Sequence, residues 1–366
     1  MSRRLNVLQV LGRSAGGIAK HVAQITAALD DGDLTVDVAG PRDLPVAMPK
    51  PVIGVVIPDG PFGHTRVVRR LRSYMRQGEY DVVHAHGLRA GIDAALAARP
   101  LEVPVLQTVH NLVRADVSGR AKAAMYRWAE PLSVRLTRHT FAVSEEIARH
   151  LRAQSPGSAG KIEILYLGIG EAPKVRRTAA EVRSEAQVPA EGKLIVTASR
   201  LSAQKALDVM MSAVARLPDD VILAVLGQGP DEARLRAMSQ TLGLGERVKW
   251  LGWRDDIADW INAADVFSLS SNWEGVPLAA QEAILLGTPI VATDVGGMGE
   301  LIGDRSSGRL VKKGDAEALA VALNDVLSAP ETAARYAEQA VVDLRRRFST
   351  DQMLTRLRAA YEWHAR

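Results

Sequence analysis

Cysteine is absent from all 366 residues, which rules out disulfides, thiol nucleophiles and thiolate metal sites. No run of about 18 apolar residues occurs, so the sequence offers no membrane-spanning helix. An apolar run, Leu5–Leu11, starts almost at the first residue and leaves no room for a signal peptide. With 47% apolar and 24% charged residues, the expectation is a globular, cytoplasmic chain. There is no fixed short repeat and no low-complexity tract. The Gly-x-Gly-x-x-Gly dinucleotide fingerprint is missing too: Gly12-Arg-Ser-Ala-Gly16-Gly17 joins the first strand to the first helix instead. Ala39-Gly40 follow Val38 where a ribose-binding acid would have to stand, so an NAD enzyme is discounted.

What is present alternates from end to end. Short apolar runs are followed by helical patterns, the mark of parallel sheets built from βαβ units. Strands are expected at Leu5–Leu11, Leu34–Ala39, Val52–Ile57, Asp81–His84, Val105–Val109, Thr140–Val143 and Ile162–Tyr166. A second series covers Leu194–Ala198, Val221–Leu226, Val248–Leu251, Val266–Leu269 and Ile290–Ala292. Between the series, Gly/Pro and charged residues with little periodicity predict a linker at 171–192. The domains are thus read as 1–170 and 193–348, with a terminal helix over 349–366. Charge divides along the same line, about +7 for residues 1–170 and −3 for the remainder, within +4 overall. That contrast points to an anionic acceptor or membrane surface for the first half and a nucleotide sugar for the second, with generic basic surface as the competing reading.

The densest chemistry lies between Ser270 and Leu301. Glu274 stands in a Gly/Pro-marked loop after a strand, and Glu282 lies eight positions on, in a helix opened by Pro277. A second strand then leads to Gly296-Gly297. Polar groups collected at the carboxyl ends of parallel strands are where open α/β sheets bind ligands. Carboxylates there accept from hydroxyls, and helix-start or glycine-loop amides donate to phosphate. Ahead of this stretch, Arg200 and Lys205 flank the end of a strand and the next helix, where two cations neutralise a pyrophosphate. Gly227-Gln-Gly-Pro closes a strand, and Leu251-Gly-Trp-Arg254 forms another strand-end loop.

Together these segments closely resemble the donor-site signature of retaining glycosyltransferases of the GT-B fold, family four. The resemblance implies two doubly wound Rossmann-like α/β domains facing a central cleft, with the last helix crossing back to the first domain. It implies that Glu274 lies at the transferred sugar, Glu282 holds the ribose, and Arg200 and Lys205 supply the pyrophosphate cations. Gly275, Val276, Pro277 and Leu278 belong to the same donor segment. Gly227 lies beside the nucleotide, and Arg254 lies in the loop that reads the base, with uracil favoured over guanine. Gly16 and Gly17 approach the donor phosphates, with Lys20, His21 and His86 on the acceptor side. His110 matches the histidine that contacts the transferred sugar. The chain departs from the family pattern at Ser199 and Ala206, where glycine is usual.

No metal is expected: no Asp-x-Asp pair is convincingly placed, and His84 and His86 are read as alternating across their sheet. The reaction implied is a front-face transfer of a hexosyl unit from a nucleotide-diphosphate sugar to a hydroxyl acceptor, with the donor phosphate taking the acceptor proton. It would serve glycolipid, polysaccharide or small-molecule glycoside synthesis. A nucleotide-sugar 2-epimerase and a non-catalytic sugar-nucleotide scaffold are the alternatives. No nucleic-acid partner is expected. Finally, Thr65–Arg76 reads as a basic amphipathic helix whose Arg66, Arg69, Arg70, Arg72 and Arg76 would meet an anionic membrane or merely solvent.

Overall fold

A computed structural model describes residues 4–13, 17–44, 46–60, 62–112 and 120–365, with side chains described except over 120–127. The chain forms two compact units: one from the N-terminus to Gly168 together with Phe348–Arg366, and one of Ile169–Arg347.

The first unit is a seven-stranded parallel sheet of β1 (Leu5–Leu11), β2 (Leu34–Gly40), β3 (Ile53–Gly54), β4 (Val82–His86), β5 (Val105–Val109), β6 (His139–Ala142) and β7 (Ile162–Ile164). Their order is β3-β2-β1-β4-β5-β6-β7. Strands covered on both faces need no polar alternation, which is why β4 and β5 are buried at every position. Val83 and Ala85 enter one core cluster with Val67, Leu71 and Met75 of the helix His64–Gln77. Val82 and Leu106 enter another with Met353, Leu357 and Tyr361 of the terminal helix Thr350–His364.

β3 is far shorter than the run Val52–Ile57. It pairs only with Ala39 and Gly40, because Pro41 follows and has no N–H to extend the ladder. The helix His64–Gln77 leaves Arg66, Arg69, Arg70 and Arg76 exposed. Arg72 does not join them: it donates to the Leu96 and Ala97 carbonyls at 3.0 and 3.2 Å, holding the end of the helix Leu88–Ala98. Ser144 caps the helix Glu145–Gln154 by accepting from the Ile147 amide.

The second unit holds six parallel strands, β8 (Lys193–Ala198), β9 (Val221–Leu226), β10 (Val248–Gly252), β11 (Val266–Leu269), β12 (Ile290–Thr293) and β13 (Arg309–Val311). Their order, β10-β9-β8-β11-β12-β13, reverses direction at β8 and β11 and creates a topological switch point there. The span 171–192 is no linker. It contains the helix Ala179–Glu185, started by a capping box between Thr178 and Glu181 and bearing the fully buried Val182. Asp259 accepts from the Arg176 and Arg177 amides at 2.6 and 3.2 Å, and Arg183 pairs with Asp265 at 2.9 Å. One short helix with polar flanks carries too few apolar positions for its periodicity to stand out.

No described helix is long and apolar enough to cross a membrane.

Candidate functional site

At the switch point, the loops leaving β8 and β11 are stitched to each other. The Asn272 amide donates to the Gln204 carbonyl at 2.8 Å, and its side chain donates to Ala203 at 3.0 Å. Gln204 returns a bond to the Trp273 carbonyl at 3.0 Å. Ser270 Oγ donates to the Lys205 and Ala206 carbonyls, and Thr293, closing β12, donates to the Ser271 carbonyl at 2.6 Å. Two glycines make this closeness possible. A Cβ at Gly227 would lie 1.9 Å from the Ser199 carbonyl oxygen, and one at Gly296 would lie 1.8 Å from that of Glu274. Both glycines also take positive φ, +129° and +59°, which side chains rarely adopt.

This lacing brings opposite charges together. Lys205 Nζ donates to Glu274 Oε1 at 2.6 Å, and the same oxygen accepts from Ser271 Oγ at 2.5 Å. Only 17% of the Lys205 side chain and 5% of that of Glu274 reach solvent, so the pair sits in a low-dielectric setting where each charge depends on the other. The helices Leu207–Val214 and Leu278–Leu285 begin directly after the two loops, and neither has a side-chain cap. Their leading N–H groups and positive dipole ends accompany the Lys205 ammonium, a combination suited to an anion such as a diphosphate. Glu282 lies half-buried in the second helix, and Arg200 is exposed with no ion pair among the described residues.

Ala206 takes φ +44° and ψ +47° as it enters its helix. That left-handed conformation costs an L side chain about 1 kcal/mol. Ala206→Gly is therefore expected to raise stability by up to about 1 kcal/mol, read from the urea midpoint. An unchanged or lower midpoint would show that glycine's extra freedom in the unfolded chain offsets the relief.

The first unit carries a second polar group, on the sheet face covered by its terminal helix. His84 and His86 lie on the same side of β4, their rings 4.4 Å apart, which corrects the reading that placed them on opposite sides. Residues two apart in a strand share a face. His21, His86 and His110 bring ring nitrogens within 4.8 Å of one another, a grouping of possible metal ligands that the misassigned face had hidden. All four histidines are buried. Burial is the largest cause lowering their affinity for protons, with pKa values of about 4 for His21 and about 3 for His84, and directions well below ordinary for His86 and His110.

Two family patterns match. The one described as Glycosyltransferase Family 4 covers residues 15–171, and Glycosyl transferases group 1 covers residues 179–342. The chain is 30% identical to a phosphatidyl-myo-inositol mannosyltransferase of Mycobacterium leprae over 85% of each chain. The chain belongs to the family-four glycosyltransferases. It is also 29% identical to a D-inositol 3-phosphate glycosyltransferase of Xylanimonas cellulosilytica, covering 92% of this chain and 89% of that one. The fold agrees with that of Anabaena HepE solved with UDP-glucose, at a TM-score of 0.82 and 21% identity over 97% and 99% of the two chains. Both sheets are of the doubly wound GT-B type.

The remaining residues singled out in the sequence fall as follows. Gly275, Val276 and Pro277 form the buried turn between Glu274 and its helix, which Leu278 begins. Gly17 begins the helix Gly17–Leu29, on which Lys20 is exposed and His21 buried, while Gly16 lies outside the described residues. Arg254 does not stand free for a base. Its guanidinium forks onto Asp256 at 2.6 and 2.7 Å, reaches Glu185 at 2.9 Å and lies 5.1 Å from the Trp260 ring centre. Arg177 bridges the same two acids, and these contacts hold the Asp256 carboxyl at about 2, the Arg254 bond being the largest cause. Sequence reasoning missed the stitching residues Gln204, Ser270, Ser271 and Thr293, whose role depends on contacts between distant loops. It also passed over Trp253, which is 73% exposed beside Gly252, whose carbonyl accepts from the Gly227 amide at 2.7 Å. An exposed Trp at a strand's carboxyl end is the signal that was available.

Proposed function

We infer that this glycosyltransferase transfers a hexosyl unit from a UDP-sugar to a hydroxyl acceptor with retention of anomeric configuration. The observation carrying the reading is the buried Lys205–Glu274 pair at the switch point, set between two uncapped helix starts. A nucleoside diphosphate leaving group needs cations and oriented amides, and electrostatic stabilisation of developing charge is usually the largest catalytic term. Lys205 and Arg200 supply that charge, Glu274 orients sugar hydroxyls, and Glu282 accepts from the ribose. By the family resemblance, His110 is the histidine assigned to the transferred sugar.

UDP is favoured because an Escherichia coli relative, 27% identical over 69% of this chain, is a UDP-Gal-dependent galactosyltransferase by name, and HepE was solved with UDP-glucose. The inositol-phosphate and phosphatidylinositol relatives point to a polar, hydroxyl-rich acceptor in glycolipid or small-glycoside synthesis. Exposed Arg66, Arg69, Arg70 and Arg76 suit peripheral contact with an anionic membrane. The donor residues require no metal in this scheme.

Proton NMR of the sugar released or transferred from a UDP-hexose, with EDTA present, tests the reading. The donor's anomeric configuration is expected in the first-formed product. Inversion would refute retention, and epimerised donor without an acceptor would assign the epimerase chemistry instead.

A further inference from the structure

We propose that Gln9 and Tyr361 are positioning residues that fix His110 as a single tautomer, with its proton on Nε2 and Nδ1 left as an acceptor for a sugar hydroxyl. The proposal rests on the reading of His110 as a sugar contact, but its core concerns the free protein.

The contacts form one continuous chain across the sheet face. The Gln9 amide nitrogen donates to the Tyr361 oxygen at 3.0 Å. The hydroxyl of Tyr361 lies 2.7 Å from His84 Nδ1, and His84 Nε2 lies 2.8 Å from Thr108 Oγ1. On the other side, Gln9 Oε1 lies 2.6 Å from His86 Nε2, and His86 Nδ1 lies 3.2 Å from His110 Nε2. Strand register brings these groups together, since Gln9 stands opposite His84, and His86 opposite Thr108.

A neutral imidazole carries one N–H and one bare nitrogen, so each contact constrains the next. Gln9 Oε1 has no proton to give, and His86 must donate to it from Nε2. His86 Nδ1 is then bare and takes the proton of His110 Nε2. The remaining nitrogen, His110 Nδ1, is then the ring's acceptor. On the far branch, the Gln9 amide donates to Tyr361, which leaves the tyrosine proton for His84 Nδ1; the opposite amide orientation would reverse every bond of the chain, and the His110 tautomer reads out which one holds. The chain is that of neutral imidazoles, since a protonated His86 would offer two donors and reverse the last bond.

His21 stands edge-on to the rings of His86 and His110, at 5.7 and 5.4 Å between centres, and neither of its nitrogens has a partner. It packs against the chain without competing for its protons.

Long-range proton–nitrogen correlation NMR on the full-length protein with ¹⁵N-labelled histidine tests the inference. For the wild type, His110 is expected with a protonated Nε2 and a bare Nδ1. Gln9→Leu removes both amide bonds and is expected to give mixed His110 tautomers and about a tenfold fall in kcat. Should Gln9→Leu fail to fold, Tyr361→Phe, which loses only the hydroxyl, is expected to mix the tautomers in its place. A wild-type His110 protonated on Nδ1, or an unchanged tautomer in both Gln9→Leu and Tyr361→Phe, would overturn the proposal. So would stoichiometric zinc in the purified protein that shifts His21, His86 and His110 together. If His110→Ala keeps full turnover, the sugar-contact reading fails, while the tautomer measurement still decides the chain.

Discussion

Glu274→Ala is expected to lose turnover by about 100- to 1,000-fold and to destabilise the protein by about 3–5 kcal/mol. The second effect arises because the variant leaves the Lys205 ammonium in a site where only 17% of its side chain meets water, without the carboxylate 2.6 Å away. Lys205→Ala is expected to act in the same direction on both quantities, because Glu274 is more deeply buried still. The double variant Lys205→Met, Glu274→Leu separates the roles. Apolar replacement of a buried pair is often neutral or stabilising, so stability is expected to return while turnover stays lost. Urea unfolding and initial rates, measured on all four proteins, read the outcome. Strictly additive losses in the double variant would show that the two charges do not depend on one another.

Mild acid is expected to weaken the first unit far more than the second. All eight histidines lie before Gly168 or after Phe348, and Ile169–Arg347 contains none. His21, His84, His86 and His110 are buried neutral, with folded pKa values lowered to about 4 and about 3 for the first two. No carboxylate pairs with any of the four among the described residues; the hydrogen-bond partners of His84, His86 and His110 are Gln9, Thr108, Tyr361 and one another. The unfolded chain takes up protons at about 6.5 that the folded unit refuses, so stability is complete above that pH and falls below it. Each such histidine removes up to about 1.4 kcal/mol per pH unit, and the group removes on the order of 5 kcal/mol by about pH 5. In the second unit, Asp256 is held at about 2 by Arg254, and its contribution persists until far lower pH. Pulse proteolysis in urea at about pH 7.5 and pH 5, with peptides mapped to each unit, checks this. Equal shifts in the two units would contradict it.

Most of the second sheet was legible because its strands are short, largely apolar runs bounded by polar or turn residues. Val221–Leu226 and Val266–Leu269 have the bounds read from sequence. β13 was missed: it has three residues, and its first, Arg309, is a buried cation pairing with Asp304 and Asp325. A charged residue at the head of so short a run erases the apolar signal. The Arg254 network escaped for a related reason. Its partners Glu185 and Asp256 are ordinary acids in sequence, and only the docking of the helix Ala179–Glu185 makes them a cage. The histidine face was lost to an error of period rather than to missing information, since Val82, His84 and His86 share the spacing of one strand face.

The most direct test of the account is binding of UDP, GDP and ADP to the full chain by calorimetry and thermal shift, with EDTA present. A ligand at 100 times its Kd stabilises the folded state by about 2.7 kcal/mol, enough to read as a clear rise in Tm. The account predicts that UDP binds in preference to the others, and that Lys205→Ala and Glu282→Ala each weaken it. Binding of UDP that neither substitution alters, or no binding of any nucleotide, would contradict the assignment of the donor site to the loops after β8 and β11.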